Sequence, residues 1–431
     1  MKAGTVNHDA FDGWPSRGDT YVSTIPRFQV ILGGMRIPVL TFLVCGLSLV
    51  SSSAQEGAIE SGVIESAGGR VAKRRLVLPQ SPYSYATTDL PIHVRQVAKF
   101  YDNTPASNQI TDAGATLGRV LFYDRSLSAN GSVSCSSCHS QSTGFSDERR
   151  FSTGFEGKEV KRNSMSLVNL RFYKSGKFFW DERANSLEDQ VLMPIEDPVE
   201  MGHSLAMLVK QLQKDAIYPP LFREAFGTPE VTEQRLARAL AQFIRSMVSV
   251  RSRYDVGRSA VDSVHDPFPN FSEQENYGKQ QFFGRARCSE CHLPDRVTLD
   301  GPVGQSAFFQ LTTPLVNGID SDLKDVDGGV GLVSGRSEDW GRFKATSLRN
   351  IELSAPYMHD GRFRTLDQVI EHYNWSVKPH RNLDPRLQDF AANGLALPEV
   401  EKVALAEFLK TLTDSTFIND PKFSDPFVHE E

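Results

Sequence analysis

Two stretches decide how this chain is built: Ser134-Cys135-Ser136-Ser137-Cys138-His139 and Arg287-Cys288-Ser289-Glu290-Cys291-His292. Each sets two thiols three positions apart and follows them at once with an imidazole. Covalent haem attachment needs that order. The sulfurs form thioethers with the porphyrin vinyl groups, and the adjacent histidine becomes the proximal iron ligand. The short spacing keeps both sulfurs on one side of the macrocycle and brings the histidine beneath the metal. A zinc ribbon also uses two C-x-x-C pairs, but it leaves both histidines unexplained, and the pairs here lie far apart for a ribbon. Two redox disulfides are the other alternative, and those motifs accompany a βαβ pattern that this chain lacks. The expectation is two covalent c-type haems, one through Cys135, Cys138 and His139, the other through Cys288, Cys291 and His292.

The approach to each motif repeats as well. Thr111 or Asp112 can cap a helix running through Leu117 to Phe122, and Ser272 with Glu275 forms a capping box for a helix reaching Phe283. A capped helix, a bulky pair, a short loop and C-S-x-C-H thus occur twice, as two related halves would. Thr232 opens an amphipathic helix with Leu236, Leu240, Phe243, Ile244 and Met247 on one face. A similar helix spans about 399–412, with Val400, Val403, Leu405, Phe408, Leu409 and Leu412 apolar. The remainder is rich in Gly, Pro and Asn, with few alternating runs long enough for a sheet. The fold class expected is mainly α: two cytochrome c-like haem domains with long loops. The first domain is read as 81–265 and the second as 266–420. Segment 255–270 is the boundary between them, and 55–80 is a flexible lead-in.

With 431 residues the chain can hold two ordinary domains. Charged residues are 23% and the formal net charge is −6, so no basic footprint for nucleic acid exists. Residues 1–54 read as a presequence. Arg36 precedes an apolar run from Ile37 to Val50, and Ser51-Ser52-Ser53-Ala54 closes it. Fourteen residues fall short of the roughly 20 that cross a bilayer, so a cleavable signal ending at Ala54 and a periplasmic location are expected, with translation starting at Met35. The alternatives are an uncleaved anchor helix and a lipid anchor at Cys45.

Around the haem motifs the sequence resembles the bacterial di-haem cytochrome c peroxidase/MauG family, from about residue 110 to 413. The resemblance rests on L-F-Y-D-R-S-L-S-A-N-G-S-V-S-C-S-S-C-H (121–139), R-N-S-M-S-L-V-N (162–169), F-W-D-E-R-A-N-S-L-E-D-Q (179–190) and P-I-E-D-P-V-E-M-G (194–202). A-R-C-S-E-C-H (286–292) and S-L-R-N-I-E-L-S-A-P-Y-M-H-D-G (347–361) complete it. It implies that the N-terminal haem reacts with hydrogen peroxide and the C-terminal haem handles electrons. Trp180 matches the family's tryptophan between the haems, and Gln190, Pro194 and Glu200 match its distal pocket. Asn163 matches the side-chain ligand of a calcium ion between the domains, completed by the carbonyls of Ser354 and Pro356. The chemistry agrees, because cleaving the peroxide O–O bond moves a proton between the two oxygens, which a carboxylate over an open iron can do. Gln190 and Pro194 are expected on one face of a short helix with Ser186 and Asp189 as its capping box.

Two departures from the family pattern bear on mechanism. Many family peroxidases carry a histidine that occupies the sixth position of the first haem until the other is reduced. Here the corresponding loop is S-T-G-F-E-G, with Phe155 at that position, and a phenyl ring cannot ligate iron. The first haem is therefore expected to be open without reductive activation. Near Tyr373 the conventional peroxidases have Met, whereas MauG-type relatives use Tyr, a hard oxygen donor that favours higher oxidation states. Met358, His372 and His380 compete with Tyr373 as sixth ligand of the second haem.

The leading functional reading is a peroxidase reducing hydrogen peroxide with electrons from a small cytochrome c or cupredoxin. The alternative is a MauG-like oxidase that uses peroxide to oxidise Trp or Tyr of a partner protein by long-range electron transfer through Trp180. A passive electron carrier ranks last, since it needs no acid over an open iron.

Overall fold

Thr111 and Ser272 cap the two helices that lead into the cysteine motifs. The Thr111 hydroxyl accepts from Gly114 N at 3.0 Å and opens helix Asp112–Tyr123. Ser272 and Glu275 bond reciprocally, at 3.1 and 2.7 Å, and open helix Glu273–Phe283. Such caps satisfy amides that a helix start leaves without internal partners. Each helix ends on an aromatic pair, and the 3-10 turns Cys135–Ser137 and Cys288–Glu290 follow. The computed structural model describes residues 56–60, 74–292, 307–321 and 326–429. Residues 1–54, read above as a presequence, with Cys45 and the apolar run, lie outside the described residues.

A later helix crosses each of these entry helices. Thr232 caps Glu233–Ser246 through Arg235 N at 3.2 Å, and Leu236, Leu240, Phe243 and Ile244 are buried. Helix Glu399–Lys410 does the same in the second half with Ala404, Leu405, Phe408 and Leu409. Val400 and Val403, expected on its apolar face, stay 64% and 39% exposed, because the crossing is centred one turn later. Both crossings bring backbone against backbone. A Cβ on Gly118 would stand 2.0 Å from Ala239 O and 2.7 Å from Phe243 Cβ; one on Gly278 would stand 1.8 Å from Ala404 O and 2.9 Å from Phe408 Cβ. Around the crossings lie two apolar clusters. Phe122, Phe145 and Phe243 belong to the first, and Phe282, Phe309 and Phe408 to the second.

Three local readings change. The 55–80 segment, expected to be a flexible lead-in, carries strands Glu56–Glu60 and Arg74–Pro79. The second is the middle of a three-stranded antiparallel sheet completed by Phe427–His429, with Leu76 opposite both Ile59 and Phe427. A strand whose partner arrives some 350 residues later has no local signature. Segment 255–270 opens inside helix Arg253–Ser259, started by a Ser252/Asp255 capping box, and Val264, Phe268 and Phe271 are buried in the second cluster. Phe417, inside the segment read as the second domain, returns with Phe423 and Phe427 to the first cluster. The chain passes between the clusters at buried Ser249. There Asn169 Nδ2 donates to Ser249 O and Ser249 N to Asn169 Oδ1, both at 3.0 Å, and Asn350 Nδ2 donates to Ser249 Oγ at 3.0 Å. Among the described residues no helix is long and apolar enough to cross a membrane.

The crossings generate a test. Gly118→Ala and Gly278→Ala must each push two helices apart, an overpacking that costs about 1–3 kcal/mol. Calorimetry of the haem-loaded protein is expected to show a lower melting temperature for both variants. A wild-type melting temperature in either would mean that its helix backbones are not in contact.

Candidate active site

His139 follows its 3-10 turn directly, and its Nδ1 lies 2.9 Å from the carbonyl of Phe145, a residue held at φ 59°. Fixing Nδ1–H on a backbone oxygen leaves Nε2 free to ligate a metal. Burial lowers the pKa of His139, which keeps the ring neutral as a ligand must be. Cys135 and Cys138 are unpaired, and burial pushes their thiols up to about 12 and about 11. These three residues line one wall of a cavity of about 880 Å³, with Phe122, Leu167, Phe178, Leu240 and Ile244 among its apolar walls. Its size and lining suit a flat apolar macrocycle.

The second motif repeats the arrangement. His292 Nδ1 lies 3.3 Å from the carbonyl of Phe309, at φ 52°, and burial pulls the ring's pKa down to about 4. Cys288, Cys291 and His292 line a second cavity with Phe282, Leu348, Ile351, Phe390 and Leu405. The four cysteines therefore fall into two separate cavities. That removes the four-sulfur zinc reading, and none of them forms a disulfide.

Glu200, Gln190, Pro194, Trp180 and Asn163 all line the cavity of His139. Burial, reinforced by Asp197 and opposed by Arg183, pushes the Glu200 carboxyl up to about 7. Gln190 Oε1 is buried without a hydrogen-bond partner among the described residues. Gln190 ends helix Leu187–Gln190, where Ser186 Oγ accepts from Asp189 N at 3.0 Å, and Pro194 lies in a second short helix, Met193–Glu196. The expected single helix is two because Pro194 has no N–H to donate to Gln190 O. Phe155 does not line the cavity. Its ring lies against Gly202, where a Cβ would come within 2.4 Å of it, and its N–H donates to Glu200 O at 2.9 Å. Among the described residues, His139 is the sole histidine on this wall.

Of the four candidates for the second cavity, Tyr373 and Met358 line it, and His372 and His380 do not. His372 Nε2 is engaged with Asn317 O at 3.1 Å, and His380 Nδ1 accepts from Asn382 N at 3.0 Å. Tyr373 lies in a π-helical turn, His372–Ser376, directly after helix Leu366–Glu371. Burial raises its phenol above the ordinary value. An internal repeat in the sequence identifies this position: S-L-E-D-Q from Ser186 and T-L-D-Q from Thr365 both start helices, and Pro194 and Tyr373 each stand eight residues past their cap. By the same count His359 is the counterpart of Trp180.

Trp180 and Lys344 line both cavities. Lys344 N donates to Trp180 O at 2.9 Å, and reciprocally Asn163 N donates to His359 O at 2.8 Å. Trp180 Nε1 donates to Asn163 O at 2.8 Å, which sets the plane of the indole. Phe343 stacks on His359 with centroids 3.7 Å apart. Lys344, His359 and Asn317 were not singled out from the sequence, although the internal repeat points to His359. Asn163 Nδ2 donates to the carbonyls of Arg149 and Arg150 at 3.2 and 3.3 Å. Ser354 ends the 3-10 turn Ile351–Leu353, and Pro356 follows a cis peptide bond; among the described residues no hydrogen bond joins Asn163 to either.

A family model described as di-haem cytochrome c peroxidase matches residues 112–259. Methylamine utilization protein MauG of Methylophilus methylotrophus is 32% identical over 348 residues, 79% of this chain and 95% of that one. Cytochrome c551 peroxidase of Nitrosomonas europaea is 32% identical over 317 residues, covering 73% and 83% of the two chains. Among solved structures, a MauG-like protein associated with microbial copper homeostasis aligns with a TM-score of 0.66 at 31% identity, over 79% of this chain and 99% of that one. The chain belongs to the di-haem cytochrome c peroxidase and MauG family, oxidoreductases that act on peroxide.

Proposed function

We propose that this protein is an exported, periplasmic di-haem c-type peroxidase. It reduces hydrogen peroxide in the first cavity with electrons entering at the second from a small cytochrome c or cupredoxin. One observation carries the reading: His139 shares its cavity with Glu200 and Gln190 and, among the described residues, with no second histidine. Haem held by Cys135, Cys138 and His139 would supply the redox-active iron at which peroxide is reduced. The side chains do the rest. Glu200 takes the proton from the nearer peroxide oxygen and returns it to the departing one, and a carboxyl near 7 exists in both forms at neutral pH. The unpartnered Gln190 Oε1 accepts a hydrogen bond from peroxide or from an ordered water. Trp180, on both walls, is the aromatic stepping stone between the cavities. One calcium ion at Asn163, with the carbonyls of Ser354 and Pro356, belongs to the same reading; it is supported by the burial of Asn163 where the halves meet.

A second reading is favoured by Tyr373 on the wall of the second cavity. Ligation by a tyrosine oxygen favours oxidised iron, which suits a MauG-like enzyme that stores oxidising equivalents and draws electrons from Trp or Tyr of a partner protein.

Titrating the fully oxidised protein with peroxide, followed by optical and low-temperature EPR spectra, tests both. A high-spin ferric signal at rest is expected from the open first site; two purely low-spin haems would overturn the proposal. Rapid turnover with reduced cytochrome c supports the peroxidase, and a long-lived oxidised state supports the second reading. Because the carboxylate form of Glu200 takes the first proton, the rate of reaction with peroxide is expected to rise with pH through about 7 and then level off. Glu200→Gln should lose that limb and react about 10²–10⁴-fold more slowly; a variant with the wild-type profile removes Glu200 from the mechanism. Tyr373→Phe should alter the spectrum of the second haem alone, and unchanged spectra would exclude it as a ligand.

A further inference from the structure

Lys344 is a buried charge that the chemistry proposed above does not use. Its side chain is 3% exposed, and Nζ has no hydrogen-bond partner among the described residues. It lies 3.9 Å from the ring centroid of Tyr173 and 5.5 Å from that of Phe178. Glu182, the acid whose field it feels, already accepts from Tyr173 Oη and from Ser175 Oγ. A buried ammonium without a counter-ion is strongly disfavoured even after local relaxation, and burial, opposed by Glu182, pulls this one down to about 7. The backbone does not let it move away, since Lys344 N is bonded to Trp180 O.

The other cations on the cavity walls are spoken for. Arg162 pairs with Asp181 and Asp327, Arg183 with Asp181 and Arg287 with Glu290, while Lys161 is exposed. Among the described residues, Lys344 alone of these cations is buried, without a hydrogen-bond partner and on the walls of both cavities. What fills those cavities can supply the counter-charge. Haem is apolar over its faces and carries two carboxylates on one edge.

We propose that Lys344 is a shared counter-cation for the carboxylate side chains of both haems, placed on the wall between the cavities so that one positive charge acts on both irons. This positioning role rests on the two haems proposed above. A cation there stabilises the reduced state of each iron, so its removal shifts both couples the same way.

Spectroelectrochemical titration of wild type, Lys344→Met and Lys344→Arg, each purified with haem, tests it. Pyridine haemochrome spectra first count two covalent haems per chain; their absence would refute the haem assignment rather than this one. Lys344→Met is expected to favour the ferric state about tenfold at both haems, the scale of one unit charge in a low-dielectric wall and about 59 mV for a one-electron couple. Lys344→Arg keeps the charge and should hold both potentials while moving the propionate bending bands in resonance Raman spectra. Unchanged potentials in Lys344→Met, or a shift at one haem only, would overturn the shared role. Should Lys344→Met fail to fold, unmoved propionate bands in Lys344→Arg would overturn it equally.

Discussion

Two backbone hydrogen bonds hold the rest of the arrangement in place: Asn163 N to His359 O, and Lys344 N to Trp180 O. Each half lends an amide to a carbonyl of the other half, at matching points of the internal repeat. Buried backbone amides must find partners, and these two find theirs only when the halves face each other in one register. That register puts the Trp180 indole on the walls of both cavities and brings Lys344 between them. The contact Trp180 Nε1–Asn163 O then fixes the angle of the ring. A looser joint would still bind two haems in two pockets, but it would not set a fixed path between them.

Buried polar groups fall into two kinds. Away from the cavities many are closed into networks. Arg349 and His93 hold the Asp255 carboxyl below the usual carboxylate range despite its burial, and Arg245 forks onto Glu188 at 2.6 and 2.9 Å. On the cavity walls, among the described residues, Gln190 Oε1 and Lys344 Nζ have no hydrogen-bond partner, and Glu200 is raised by burial with no cation hydrogen-bonded to it. An open polar group costs free energy in a folded core. Gln190 and Lys344 share their surfaces with the Cys–His pairs, where a polar-edged cofactor or a substrate could complete them.

Much of the helical framework is legible from local chemistry. Caps at Thr111, Thr232 and Ser272 and the spacing of Leu236, Leu240 and Phe243 locate helices because those signals act within a turn or two. Pro194 breaks a helix for an equally local reason. Less visible were the sheet joining Arg74–Pro79 to Phe427–His429, the return of Phe417, Phe423 and Phe427 to the first cluster, and the burial of Phe268 and Phe271 in a segment that looked like a linker. All three depend on partners distant in sequence.

By itself the sequence determined the two Cys–Cys–His units, since each lies within five consecutive positions, and it placed the capped helices that present them. Only the tertiary structure decided which of Tyr373, Met358, His372 and His380 faces the second cavity, that Phe155 packs on Gly202 away from the first, and that Lys344 is stranded between the two. Direction and burial of a side chain are set by packing between elements far apart in the chain. Spacing within one element carries no record of them.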